Sequence, residues 1–237
     1  ALPISIDISG SGELHLLNDS FVQNTGRLSA ITYITENSVG EVIDCQYVNN
    51  SASHGVAAVV DASSISFLRC HFLGNDASFG GSLTGTSGAQ LNVSDSIFLH
   101  DTSQQFAGCV LLSDNSMVQM QNVTMEENSA SSAGGAIYLE LDSSALITDS
   151  IIRSNHAGKR GGAISAVINS GLECNNVTFG NNTSQNGGAL YFADSSFLEI
   201  TSTDFVNNSA EDGGAIRFAH NRSEERRVGK ECRSRWS

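Results

Sequence analysis

Hydrophobic and polar residues alternate along this chain over short stretches that stop and restart at a fixed interval. Counting back five and seven places from a recurrent large residue gives Leu16 and Leu14, Phe67 and Ile65, Val93 and Leu91, Ile147 and Ala145, Cys174 and Leu172, Ile200 and Leu198. Between the two members of each pair stands a mostly more polar residue: His15, Ser66, Asn92, Leu146, Glu173 and Glu199. A period of two predicts strands with one buried face. Leu146 breaks the alternation, so the register is least clear over 118–147. No stripe of 3.6-residue period exists, and the β-branched and Ser/Asn content disfavours helix.

The large residue is itself half of a motif, followed three places later by Asn or Asp. The pairs are Phe21/Asn24, Tyr47/Asn50, Phe72/Asn75, Phe98/Asp101, Met125/Asn128, Ile152/Asn155, Phe179/Asn182 and Phe205/Asn208, at successive spacings of 26, 25, 26, 27, 27, 27 and 26. A second motif keeps step with it. Its clear copies are Gly134-Gly135-Ala136-Ile137, Gly161-Gly162-Ala163-Ile164, Gly187-Gly188-Ala189-Leu190 and Gly213-Gly214-Ala215-Ile216. Gly80-Gly81-Ser82-Leu83, Ala107-Gly108-Cys109-Val110 and Gly55-Val56-Ala57-Ala58 are degenerate, and Ser29-Ala30-Ile31 is fainter still.

Each unit therefore reads as three short strands with tight corners: one after the glycines, one carrying the alternating pair, one carrying the aromatic. Ser-rich turns such as Asp142-Ser143-Ser144 separate the first two. A propeller blade needs about 40 residues and four strands. Units of 25–27 residues instead predict an all-β, right-handed, single-stranded parallel β-helix of about eight coils, a rod about 40 Å long at about 4.8 Å per coil. In that fold Gly-Gly supplies a corner where no Cβ is tolerated, and the following Ala fills a vertex. The aromatic faces inward in a stack. The Asn turns a corner, tolerating the left-handed region and hydrogen-bonding along the stack as an amide ladder.

Composition narrows the function. The chain has 237 residues, 12 Lys+Arg against 25 Asp+Glu, 40% hydrophobic residues, 23 Gly and one Pro. That is enough apolar content for a core. So acidic a chain has no electrostatic footprint for nucleic acid or anionic lipid, and no apolar run reaches the ~18 residues of a membrane-spanning helix. The last stretch, Arg222 to Ser237, changes composition abruptly. It resembles, residue for residue, the conceptual translation of a common short-read sequencing adapter, and is set apart as an artefactual tail outside the fold. Residues 1–221 then form one repeat segment, expected to be a fragment of a longer solenoid whose remaining coils are its first partner.

Paired in phase at this spacing, the Gly-Gly-Ala-Ile and Phe-x-x-Asn motifs resemble the polymorphic outer-membrane protein repeat of chlamydial surface autotransporters, over about 14–221. Cys45 and Cys70, two residues before the aromatic, also look like the cysteine often seen there in that family. The resemblance implies a β-helical passenger that is secreted or at the cell surface (the outer membrane, if bacterial). It implies adhesion, in which both motifs take part, and a host-cell receptor or surface glycan as partner.

Parallel β-helices also carry polysaccharide lyases and hydrolases, so a carbohydrate-active enzyme is the alternative. Such chemistry needs clustered carboxylates with Ca²⁺ or a basic residue. Residues 1–221 hold only Arg27, Arg69, Arg153, Lys159, Arg160 and Arg217 as cations, with no Asp-Asp pair and no Gly-His-Gly. No catalytic, metal or cofactor residue is therefore assigned. Asp142, Asn169 and Asp194 occupy similar turn positions, which fits a weak cation ladder or plain solvated turns. Glu126-Glu127 and Glu211-Asp212 read as exposed corner charges, and Lys159-Arg160 as a corner insertion. The cysteines read as buried small hydrophobes, although Cys45 and Cys70 fall within disulfide reach. Of the Asn-x-Ser/Thr triplets, Asn18, Asn122 and Asn176 share one outward position, open to glycosylation on a eukaryotic secretory route.

Overall fold

The computed structural model describes residues 6–29 and 31–219. Arg222–Ser237 therefore lies outside the described residues. So do Ala30, in the faintest glycine motif, and the first five residues of the expected repeat segment.

The chain winds as a parallel β-solenoid of about eight turns, and every strand pair in it is parallel. Nine strands, from Ile6–Ile8 to Ile216–Phe218, form one sheet, the later ones following the glycine corners. Eight alternating strands, from Glu13–Leu17 to Phe197–Thr201, form a second. Eight strands carrying the aromatic, from Ser20–Val22 to Asp204–Val206, form a third. Each coil thus contributes the three expected strands. Five coils add a fourth of two residues: Ser51–Ala52, Asp76–Ala77, Thr102–Ser103, Ser129–Ala130 and His156–Ala157. These follow the motif Asn directly. The side-chain ladder described below locks the main chain of neighbouring coils together there, so the next two residues pair as well.

Register is uninterrupted where the pattern was least clear. Val118 pairs with Leu91 and Ala145, Met120 with Val93 and Ile147, and all are buried. Leu146 pairs with Gln119 and Glu173 on the outer column and stays half-exposed. The core is one continuous cluster running the length of the solenoid, filled from the inward faces of the three long sheets. At about 25 cal/mol per Å² of apolar surface removed from water, each buried Leu, Ile or Phe contributes about 1.5–3 kcal/mol.

Every corner uses the left-handed backbone region, the turn before the alternating strand (Asp142, Asn169, Asp194) and the glycine corner included, and two columns of it flank the aromatic strand. One is the column Asn18, Asp44, Arg69, Asp95, Asn122, Asp149, Asn176 and Ser202, between the alternating and aromatic strands. The other is Gln23, Asn49, Gly74, His100, Glu127, Ser154, Asn181 and Asn207. The second column corrects one expectation. The left-handed residue is the one before the motif Asn, not the Asn itself. This frees the Asn side chain to point into the solenoid.

Candidate functional site

The motif residues come together as the sequence spacing requires, in columns along the axis. Phe21, Tyr47, Phe72, Phe98, Met125, Ile152, Phe179 and Phe205 occupy one register position through eight successive strands. Phe72 stacks on Phe98 with ring centroids 4.3 Å apart and planes 6° from parallel. Phe21–Tyr47, Tyr47–Phe72 and Phe179–Phe205 stack at 5.1 Å. Phe67, from the alternating strand, meets Phe72 edge-on at 5.5 Å. Aromatic pairs in these geometries add to their burial energy.

The Asn column is a continuous side-chain ladder. Asn128 Nδ2 donates to Asn155 Oδ1 at 3.0 Å and to the Phe98 carbonyl at 3.2 Å, while Asn128 N donates to the same Asn155 Oδ1 at 3.0 Å. Asn155 repeats this toward Asn182 and the Met125 carbonyl, and Asn182 toward Asn208 and the Ile152 carbonyl. Asn24, Asn50 and Asn75 bond to the following coil in the same way. From Asn50 to Asn182 these side chains are fully buried, and only the end members Asn24 and Asn208 are half-exposed.

The glycine corners divide two duties. The first Gly (Gly134, Gly161, Gly187, Gly213) has φ between +59° and +68°. The second has no room for a side chain: a Cβ on Gly135, Gly162 or Gly188 would lie 2.0–2.2 Å from the carbonyl oxygen of Gly162, Gly188 or Gly214. Ala57, Ser82, Cys109, Ala136, Ala163 and Ala189 then fill the vertex, all fully buried. Ala215, in the last coil, continues that column as acceptor from Ala189 N. Ile137, Ile164, Leu190 and Ile216 pair in register as the first inward residues of their strands.

Two further ladders escaped the sequence reading. Buried serines accept the main-chain N–H of the preceding coil: Ser38 N donates to Ser63 Oγ, Ser116 N to Ser143 Oγ, Ser143 N to Ser170 Oγ, all at 3.1–3.3 Å. The signal was available, since these serines recur with the coil period, but a Ser-rich turn reads as solvated punctuation. On the column before the aromatic, Cys70 N donates to Ser96 Oγ and Val123 N to Ser150 Oγ, both at 3.0 Å, and Asp19 N reaches Cys45 Sγ at 3.4 Å. Cys45, Cys70, Cys109 and Cys174 are buried free thiols. Burial is the main cause that raises all four, Cys70 to about 11, which removes thiolate character.

A second apolar cluster lies outside the solenoid wall, another feature that the pattern did not show. The outward residues of the nine-stranded sheet, Tyr138 and Tyr191, are buried by the corner segments before the glycines. Phe106 stacks on Tyr138 at 4.6 Å, and the Arg160 guanidinium lies 5.4 Å over Tyr191. Arg160 therefore has a packing partner.

The charged candidates are surface pairs. Arg153 holds Glu126 at 2.8 Å and His100 holds Glu127 at 3.2 Å, while Arg217 pairs with Asp212. Arg69 bonds both oxygens of Asp44 and keeps that carboxyl below its ordinary range. Asn122 and Asn176 are exposed on their left-handed corner, where their Nδ2 groups donate to Asp95 and Asp149 of the preceding coil. Asp142 lines a shallow depression of about 280 Å³ with Gly88, Gln90, Asn115, Met117 and Ser144. Among the described residues no three His, Cys, Asp or Glu side chains converge as metal ligands, and no helix is long and apolar enough to cross a membrane.

Comparison with curated proteins finds no match to this chain. At the level of the repeat there is one: the model of the Chlamydia polymorphic membrane protein (Chlamydia_PMP) repeat matches residues 122–140 and 176–193. Both matches start at the left-handed Asn corner and run through the large residue, the ladder Asn and Gly-Gly-Ala. The chain thus carries, at two of its coils, the repeat of the chlamydial polymorphic membrane proteins.

Proposed function

We propose that this chain is a non-catalytic β-solenoid segment displayed at a cell surface or secreted, where it serves adhesion or spacing toward a host-cell receptor or surface glycan. The observation that carries this reading is the contrast between its inward and outward columns. Inward columns keep one kind of side chain from coil to coil, large and apolar, amide or small, and are filled by structural contacts. The outward column beside the aromatics instead reads Gln46, His71, Ile97, Thr124, Ile151, Thr178 and Asp204, with no two neighbours alike. A rigid frame with a variable skin suits recognition by shape and chemistry of the outer columns. The match to a chlamydial membrane-protein repeat supports the surface location.

In this reading the buried Phe and Asn of the motifs hold the frame and touch no partner. The test is saturable binding of the folded chain to host cells or glycan arrays. Replacing His71, Ile97 and Ile151 together should weaken binding at least tenfold with an unchanged β-sheet circular dichroism spectrum. Absence of saturable binding would leave the spacer role alone. Release of reducing ends from polyuronate would instead favour the carbohydrate-active alternative.

A further inference from the structure

Asp101 stands in the Asn ladder at the one rung where the repeat supplies a carboxyl. It is fully buried. Its Oδ1 does what every ladder Asn does, accepting from Asn75 N at 2.8 Å and Asn75 Nδ2 at 3.1 Å. Its main-chain N donates to Asn128 Oδ1 at 2.9 Å, again as in the other rungs. The second carboxyl oxygen is where the rung departs. From Asn50 to Asn182, each ladder Asn has a Nδ2 that donates both to the Oδ1 of the next rung and to the carbonyl of the aromatic-column residue one coil back. At Asp101 the corresponding acceptors are Asn128 Oδ1 and the Phe72 carbonyl. An ionised carboxylate offers them lone pairs where the ladder requires a donor.

The vertex residue facing this rung is changed in step. Ser82 stands where Ala57, Ala136, Ala163 and Ala189 stand in other coils, and its Oγ donates to Asp101 Oδ2 at 2.7 Å. Among the described residues no Lys, Arg or His pairs with Asp101. His100, its chain neighbour, points outward to Glu127. The other titratable group against it is the Cys109 thiol of the next vertex, which is buried, neutral and pushed up further by Asp101 itself. A carboxylate here has three donors and, among the described residues, no counter-charge in a dry interior, where an unpaired ion is costly.

We propose that Asp101 is a proton-operated latch: as the neutral acid its single O–H gives the rung a donor for one of those two acceptors, and when ionised it leaves a repulsive rung in the middle of the solenoid. Burial dominates over the hydrogen bonds from Ser82 and Asn75 and raises this carboxyl to about 7 from its ordinary 3.8. The folded state therefore holds the proton to higher pH than the unfolded chain does. The stabilising contribution is complete below pH ~4, declines as pH rises, and is gone above about 7, where both states are ionised. The solenoid is tighter in mildly acidic surroundings than in neutral ones.

The test compares the chain with Asp101→Asn, which restores the amide donor and has no proton to lose. Chemical denaturation from pH 4 to pH 8 should show the parent losing up to about a thousandfold in its folding constant relative to D101N, at tenfold per unit of pKa displacement. The general repulsion among surface carboxylates is common to both chains and cancels in the comparison. In a carbon-13 titration the Asp101 carboxyl should have its midpoint near 7. Ser82→Ala, which removes a donor to the ionised form, should move that midpoint upward. Parallel pH profiles for parent and D101N, or a carboxyl midpoint near 4, overturn the latch. So does a D101N chain that cannot fold, since the rung is argued to need a neutral donor.

Discussion

The two halves of the solenoid solve the same corner with different sequences. From Gly134 onward every corner is Gly-Gly-Ala, and neighbouring corners nest backbone on backbone: Gly162 N donates to Gly187 O at 3.2 Å and Gly188 N to Gly213 O at 3.0 Å. Before it, Gly55-Val56-Ala57 puts a fully buried Val where the second Gly stands, and Ala107 takes the place of a first Gly. There Val56 N donates at 3.2 Å to Gly81 O, the second residue of the next corner rather than the first, and the common register resumes at the vertex, with Ala57 N to Ser82 O at 2.8 Å as Ala163 N to Ala189 O at 2.9 Å. What the fold requires is the hydrogen-bonded column. Glycine is required where a Cβ would meet a backbone carbonyl, that of the next corner for Gly162 and that of the same corner for Gly161. The two stretches matching the chlamydial repeat, at 122–140 and 176–193, contain Gly-Gly-Ala corners, while the same fold continues through the degenerate half.

That contrast predicts its own sharpest break. A Cβ on Gly162 would meet Gly188 O at 2.2 Å and Thr183 N at 2.5 Å, both backbone atoms of the next coil. Neither can move without shifting a whole rung. Gly162→Ala should cost on the order of 5 kcal/mol, at the top of the range for overpacking. Equilibrium denaturation should show loss of a cooperative transition. A mild effect would mean that the tight half can relax into the looser corner of Val56.

Next in size is the ladder. Asn155→Ala removes the acceptor for Asn128 N and Nδ2 and the donor to Met125 O and Asn182 Oδ1. The buried groups left behind gain no water, so the cost should be about 4 kcal/mol. Asn24→Ala, at the half-exposed end, leaves groups that water can reach and should cost about 1 kcal/mol. Phe72→Ala, between Tyr47 and Phe98, should cost about 3–4 kcal/mol. Denaturation midpoints for the three variants give this order directly. Equal losses for Asn24→Ala and Asn155→Ala would show that the ladder is not what distinguishes interior from end.

How far the sequence could be read follows from the same columns. Phe72, Phe98, Phe179 and Phe205 recur with the coil period and face inward, so their column was legible before any coordinates. So was the amide ladder, because Asn repeats where a helix or loop would have no reason to. The left-handed corner was placed one residue too late, since Gln23, Glu127 and Ser154 carry no turn signature of their own. The sequence marks Ser143 only as a turn residue between strands, and polarity alone does not say whether a main-chain donor waits one coil below. The external cluster of Phe106, Tyr138 and Tyr191 joins residues from different coils on an outward column, where no periodic pattern points to burial.

The smallest effect tests the comparison most finely. Ala107 sits at φ +55°, in the region where Gly134, Gly161 and Gly187 stand in the regular half. A Cβ there strains the backbone by about 1–2 kcal/mol, while glycine loses about 0.5–1 kcal/mol more in chain entropy on folding. Ala107 is also buried in the external cluster against Phe106 and Tyr138, and its methyl contributes about 0.8 kcal/mol there. These terms nearly cancel, so Ala107→Gly should change stability by less than about 1 kcal/mol. The reverse change, Gly134→Ala, should cost several times more: its Cβ would meet Ile137 O at 2.2 Å as well as the positive φ. Thermal or urea midpoints of the two variants decide it. If Ala107→Gly stabilised as much as Gly134→Ala destabilised, the two halves would differ at this position only in backbone strain, and the close approach of the Ile137 carbonyl within the corner would carry no weight of its own.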